Sequence, residues 1–232
     1  IGTDGEGLNR FNPSTSKFTH YPSTLKTKIV SIADYSDSEL ALSVFADNIW
    51  IFNKASGEMR PLKISDPAIL YKIRHSGRTI NVYNENNGGL LLFSKAIYRY
   101  NRSNGLCQTI AGTSKNSSDH HIIGRTQEGV WIHSESNIYL LKENEDRVTL
   151  KGIHEHGEIR CGHIAPDGLI WLATEEGLCN FDTNTREFRH ISTSVFSDAN
   201  SVVCDNHSRV WVGTDNGVSA YLTKSDTFTY FD

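Results

Sequence analysis

The chain has no run of 18 apolar residues, so it offers no segment able to span a bilayer as a helix. It holds one methionine and five prolines in 232 residues, and no Cys-x-x-C pair. Cys107, Cys161, Cys179 and Cys204 stand far apart, without the paired spacing of a structural zinc site. An even count leaves two disulfides open. The preferred reading is four small buried hydrophobes, because a scaffold of this size needs no staples. Strong charge is lacking too: 23 Lys and Arg against 27 Asp and Glu give −4, with no electrostatic reason to expect nucleic acid or an anionic membrane as partner. No secretory leader is visible, which leaves the compartment open. Sustained helical periodicity is absent. The hydrophobic share of 38% is that of an ordinary folded protein.

What the chain does have is a repeat. Trp211-Val-Gly-Thr-Asp-Asn-Gly-Val218, Trp171-Leu-Ala-Thr-Glu-Glu-Gly-Leu178 and Ile1-Gly-Thr-Asp-Gly-Glu-Gly-Leu8 share one pattern. With the final Leu or Val as anchor, weaker copies fall at Ile49, Ile97 and Ile138, so the anchors are 8, 49, 97, 138, 178 and 218. Successive differences are 41, 48, 41, 40 and 40 residues. Three residues after the anchors stand Phe11, Phe52, Tyr100, Leu141, Phe181 and Tyr221. Ten residues after them stand Phe18, Met59, Cys107, Val148, Phe188 and Phe228. All twelve can be buried, and chance does not produce that.

Each unit reads as four short strands. Residues 210–214, Val-Trp-Val-Gly-Thr, are β-branched or aromatic apart from Gly213, 215–217 supply turn chemistry, and 218–221 make the partner of a hairpin. A second polar turn leads to 228–231, and an inner strand precedes each unit at 29–33, 79–83, 121–125, 160–164 and 201–204. Four short antiparallel strands every 40 residues or so define a propeller blade. Trp131, Trp171 and Trp211, seven before their anchors, are expected to fill the wedges between successive sheets. By the same count Leu42 and Leu90 take that place in the units anchored at 49 and 97, while Trp50 is off register.

The expected fold is therefore an all-β, β-propeller segment of about five and a half four-stranded blades, spanning 1–232 as one domain. Its units run over 1–21 (partial), 29–62, 79–110, 121–151, 159–192 and 200–232. Ile1 aligns with Val212, so the first unit lacks its first strand and most of its second. An unpaired edge is an aggregation liability, hence the expectation that a parent chain continues in both directions.

The repeat lacks the Gly-His…Trp-Asp of WD units and a recurrent Gly-Gly of the kelch kind. Its order is Trp, an aliphatic residue, Gly-Thr, two variable residues, Gly, Leu or Val, then an aromatic-Asp pair, Thr and Phe. That order resembles the two-component regulator propeller repeat, closely over 2–21, 170–191 and 210–231 and weakly in the other three units. The resemblance implies the periplasmic sensor region of a hybrid two-component system, as found in Bacteroidetes, with seven-bladed propellers ahead of a membrane helix and a histidine kinase. It also implies an oligosaccharide ligand, a homodimer through the parent ectodomain, and no catalysis or cofactor in this segment.

Other chemistry is weakly supported. The Gly-rich stretch 2–7 is followed by a strand where a phosphate-binding loop needs a helix. His154-Glu155-His156 and His120-His121 lack the convergent spacing of a metal site, so no metal is expected. Asp34, Asp37 and Glu39 lack the spacing of a calcium loop, and no G-x-S-x-G elbow occurs. If a sugar binds, the polar residues on or just after the inner strands are the candidates: Asp34, Tyr35, Asn84, His121, Arg125, Arg160 and His163. Arg125 and Arg160 are suited to a carboxylate or sulfate. The plain alternative is that all seven are ordinary channel-lining groups. Two other functions stay open: a protein-interaction scaffold, and a propeller lyase with a His-centred, metal-assisted cluster.

Overall fold

The computed structural model describes residues 1–22, 28–45, 47–75, 80–85, 88–94, 96–111, 120–142, 148–152, 157–191 and 193–231. His154, Glu155 and His156 lie outside them, as do Thr79 and the unit ends at 192 and 232. The chain forms two compact units, Ile1–Ser117 and Ser118–Asp232.

In the first unit, β1 (Leu8–Asn12) and β2 (Lys17–Tyr21) make a two-stranded sheet. β3 (Ile29–Asp34), β4 (Glu39–Val44), β5 (Ile49–Asn53) and β6 (Met59–Pro61) make a four-stranded meander. A helix, α1 (Pro67–Arg74), leads to the next sheet, β7 (Asn81–Asn84), β8 (Gly89–Phe93), β9 (Ile97–Asn101) and β10 (Cys107–Ala111).

The second unit holds three such sheets. The first is β11 (His121–Thr126), β12 (Gly129–Ser134), β13 (Asn137–Leu141) and β14 (Val148–Gly152). The second is β15 (Ile159–Ile164), β16 (Ile170–Thr174), β17 (Gly177–Phe181) and β18 (Phe188–Ile191). The third is β19 (Ser201–Cys204), β20 (Arg209–Thr214), β21 (Gly217–Leu222) and β22 (Thr227–Phe231).

The periodic positions now have a geometric meaning. The residue three after each anchor sits directly across the ladder from the one ten after it: Phe11 from Phe18, Phe52 from Met59, Tyr100 from Cys107, Leu141 from Val148, Phe181 from Phe188 and Tyr221 from Phe228. Cross-strand pairs of this kind stabilise a sheet through side-chain contact, which explains why both members are large and apolar. The Thr of the repeat closes the hairpin between the second and third strands. Its hydroxyl donates to the Gly carbonyl three residues on, at 3.1 Å for Thr174 and 3.2 Å for Thr214. The same oxygen accepts the N–H of Glu176 or Asn216. Gly217 adopts φ +138°, and a Cβ there would lie 2.7 Å from the Phe231 carbonyl oxygen, so the turn needs glycine.

Trp131 and Trp171 fill wedges as expected. Both are buried, and each meets a ring of the following sheet: Phe181 at 5.6 Å and Tyr221 at 5.5 Å between centroids. Trp211 is half-buried and packs on Phe231 of its own sheet, at 5.6 Å between centroids.

One expectation needs correction. Trp131 pairs with the residue two after its anchor, and the residues in that register in the earlier sheets are Ala41 and Leu91, not Leu42 and Leu90. Turn length differs between units, and a slip of one residue moves a side chain to the opposite face. One element was not legible from periodicity: the helix α1 occupies the one long interval, of 48 residues between anchors 49 and 97. Asp66 caps it, accepting from Ala68 and Ile69 N–H at 2.8 and 3.2 Å, and Pro67 starts it. At eight residues it is too short to show periodicity in the sequence. Its Ile69 and Ile73 join the core between the β3–β6 and β7–β10 sheets, where Ala41 leaves room.

The four cysteines are free. Cys107 and Cys179 are buried, and burial pushes both thiols up to about 12.

Candidate functional site

Three of the seven predicted site residues come together in the first unit. β3 and β7 are neighbouring inner strands. Asp34 ends β3, Tyr35 follows it, and Asn84 ends β7. Asp34 and Asn84 border an open cavity of about 570 Å³, lined also by Ser36, Asp37, Lys54 and Arg102, and Tyr35 lies beside it against the Arg102 guanidinium.

Lys54 and Arg102 were not singled out from the sequence, yet they organise this cavity. Both stand five residues after an anchor, in the turn between the third and fourth strands of their sheets. The residue before each, Asn53 or Asn101, builds that turn by accepting backbone N–H groups two residues on, at 2.9 Å in both cases. The turn then docks on the preceding hairpin: Lys54 N–H donates to the Ser38 carbonyl at 2.9 Å, and Arg102 N–H to that of Gly88 at 3.1 Å. A basic residue at the same repeat position in two consecutive units was the available signal.

Lys54 Nζ donates to Asp34 Oδ1 at 2.9 Å and to the carbonyls of Asp37 and Ser36 at 3.2 and 3.5 Å. Arg102 donates to Asn84 Oδ1, to the Tyr35 carbonyl and, at 3.2 Å, to the Gly89 carbonyl. These acceptors are neutral oxygens, and among the described residues no carboxylate pairs with the Arg102 guanidinium. The guanidinium also lies 5.1 Å from the Tyr35 ring centroid, with Arg60 on the same ring at 5.8 Å. Arg60 is held in turn by both oxygens of Glu39 at 3.0 Å. Burial first, and then the neighbouring Tyr35, push the Tyr100 hydroxyl up to about 12. The cavity thus offers two cations, two carboxylates, an amide and a hydroxyl on a fixed frame. That is a set able to bond several hydroxyls or an acidic group at once.

The other four candidates lie in the second unit, on β11 and β15. Arg160 is the extra residue of a β-bulge between Ile159 and Cys161, which re-aims its side chain. It pairs with Asp198 at 2.9 Å and donates to Asn200, whose amide donates to Asp215. His163 accepts the N–H of Cys204 through Nδ1 at 3.3 Å, and burial lowers its basicity. His121 stacks on buried His133, with centroids 5.2 Å apart. Arg125 lies one residue before the end of β11. Among the described residues no group of three or more His, Cys, Asp or Glu is arranged to hold a metal ion.

No family model matches the chain, and no curated protein matches it. Solved structures do. The extracellular domain attributed to the hybrid two-component system BT4673 of B. thetaiotaomicron superposes with a TM-score of 0.74 at 16% identity, covering 94% of this chain and 30% of that one. The corresponding domain of BT3049, from the same organism, gives 0.71 at 17% identity, covering 94% and 31%. Virginiamycin B lyase from Staphylococcus aureus gives 0.68 at 12% identity, covering 88% and 69%. The chain therefore spans about a third of the length of the two-component ectodomains. At such identities the likeness establishes fold alone: the chain is built of four-stranded β-propeller blades, similar to those of the extracellular domains of B. thetaiotaomicron hybrid two-component systems.

Proposed function

We propose that this chain is a ligand-sensing propeller segment from the periplasmic region of a bacterial hybrid two-component receptor, and that it binds an oligosaccharide without transforming it. The observation that carries the reading is the cavity between the ends of β3 and β7. Sugar recognition needs several fixed donors and acceptors on a concave surface, and the Lys54, Arg102, Asp34 and Asn84 set supplies them in about 570 Å³. The likeness in fold to two-component ectodomains supports the sensor role. In this reading the kinase, and the contact that makes a homodimer, belong to other parts of the receptor.

Thermal unfolding against a panel of neutral and acidic oligosaccharides tests it. A ligand at about 100 times its Kd raises stability by about 2.7 kcal/mol, a visible shift. Arg102→Ala is expected to weaken binding about tenfold or more, as loss of a charge-assisted bond does. Arg102→Lys, which keeps the charge but not the fork, is expected to fall between. A panel without any shift, on a folded protein, overturns the sugar reading and favours a scaffold for partner proteins.

A further inference from the structure

A buried indole N–H normally has a hydrogen-bond partner, and one that lacks it calls for a reason. Two tryptophans of the repeat follow the rule: Trp131 Nε1 donates to Thr126 Oγ1 at 3.0 Å and Trp211 Nε1 to Asp205 Oδ2 at 3.1 Å. Trp171 is only 2% exposed, yet its indole makes no hydrogen bond among the described residues. The cause is a single residue of the repeat. Ile164 pairs with Ile170 and Cys204 with Val210, so Ala165 stands where the next sheet has Asp205, the acceptor for its tryptophan. The two turns are otherwise alike: Ala165 N–H donates to the Leu169 carbonyl at 2.8 Å, and Asp205 N–H to that of Arg209 at 3.0 Å.

Trp171 lines a cavity of about 280 Å³ together with Ala165, Pro166, Asp167, Val210 and Thr223. Thr223 stands five residues after its anchor, the position that Lys54 and Arg102 hold in the first unit. The cavity thus occupies the same place in its sheets as the one between the ends of β3 and β7, with different chemistry. Ala165, Pro166, Val210 and the Trp171 ring make an apolar wall. Asp205 is occupied by Arg209 Nε at 2.6 Å, by Trp211, and by the N–H groups of His207 and Arg209 at 2.8 and 3.1 Å. Asp167 accepts the Leu169 N–H at 3.1 Å through one oxygen, and the other has no partner among the described residues. The Cys204 thiol is pushed up to about 12 by burial first and then by Asp167 and Asp205, and stays neutral. Two carboxylates against the one guanidinium of Arg209 disfavour an anion. What fits is a compact neutral group with an apolar end, an acceptor for Trp171 and a donor for Asp167.

We propose that this cavity is a second binding site, and that it takes the acetamido group of an N-acetylated sugar. The methyl lies against Ala165, Pro166 and Val210, the carbonyl accepts from the Trp171 indole, and the amide N–H donates to Asp167. That a sugar carries the acetamide rests on the sensor reading above; the site itself does not.

Four tryptophans give four indole N–H resonances, assigned by single Trp→Phe variants, with that of Trp171 left by difference if its own variant does not fold. Titrating N-acetylglucosamine is expected to move the Trp171 resonance downfield to saturation and to leave those of Trp50 and Trp131 in place. Glucose and glucosamine are expected to move none. Asp167→Ala, at an exposed position, is expected to weaken binding about tenfold. Ala165→Asp, which restores the acceptor found at Asp205, is expected to abolish it, and undiminished binding in both variants overturns the proposed contacts. A Trp171 resonance that no probe moves overturns the site, and an equal response to glucose overturns the acetamide. N-acetylglycinamide bound more tightly than the sugar assigns the cavity to an acylated peptide and overturns the sugar. Arg102→Ala, which alters the first cavity alone, is expected to leave the titration unchanged, so the two readings fail separately.

Discussion

At the scale of single residues, His133 makes the clearest claim. Burial first, and then the neighbouring charges of His121 and His120, push its imidazole from 6.5 down to about 3. An unfolded chain takes up that proton near pH 6.5, whereas the folded chain refuses it until far lower. The unfolded state therefore binds more protons in this window, and stability falls as pH drops from about 6.5 towards 3, by at most about 1.4 kcal/mol per pH unit. Urea unfolding at about pH 7 and about pH 5 measures the slope, and His133→Leu is expected to remove this part of it. An unchanged slope in the variant would show that other groups carry the acid sensitivity. Gly162 makes a second claim. A Cβ there would lie 2.8 Å from Ile123 Cγ1 and 3.1 Å from Leu172 Cδ2, so Gly162→Ala wedges β15 away from β11. Overpacking of this kind costs about 1–3 kcal/mol, readable as a lowered midpoint in thermal unfolding.

At the scale of elements, the sheets depend on what fills the space between them. Trp131→Ala and Trp171→Ala each remove a buried indole and are expected to cost about 3–5 kcal/mol. Trp211→Ala is expected to cost clearly less, because that ring is half-buried on its own sheet. The β15–β18 sheet receives Trp131 on Phe181 and contributes Trp171 to the next wedge. The double variant is thus expected to depart from additivity, and denaturant melts of the three proteins measure the coupling. For α1, Asp66→Ala removes the cap of two N–H groups and is expected to cost about 1 kcal/mol. The loss falls on the core that Ile69 and Ile73 complete.

At the scale of the whole molecule, the repeat makes stability a matter of neighbours. Each sheet is held chiefly by those beside it, so local damage is expected to stay local in hydrogen exchange. Trp171→Ala should loosen β15–β18 and β19–β22 before it affects the β3–β6 sheet; uniform loss of protection across both units would contradict that picture. The function proposed here uses the same property. A ligand bonded to Asp34 and Lys54 of one blade and Asn84 and Arg102 of the next adds to the side-chain packing and to the Arg102–Tyr35 and Val82–Ser31 hydrogen bonds that already join these two sheets.

Much of this was legible in the sequence because a repeat reports each position several times over. Twelve apolar residues at two fixed offsets marked out the third and fourth strands of every unit, and the structure pairs them directly. The Thr and Gly of the hairpin turn, the inner strands and the wedge role of Trp131 and Trp171 followed from local chemistry alone. Asp34, Tyr35 and Asn84 were singled out for the same reason: an inner strand ends where its polar residues begin. What tertiary structure decided was everything that depends on distance between units. Turn length set whether Leu42 or Ala41 faces the wedge, and eight residues of helix were stable only against the core they complete. Lys54 and Arg102 became partners of the inner strands because turns distant in sequence dock beside them. Periodicity records which side chains pair across the third and fourth strands; only packing decides what covers them, which leaves Phe11 and Phe18 of the first sheet exposed.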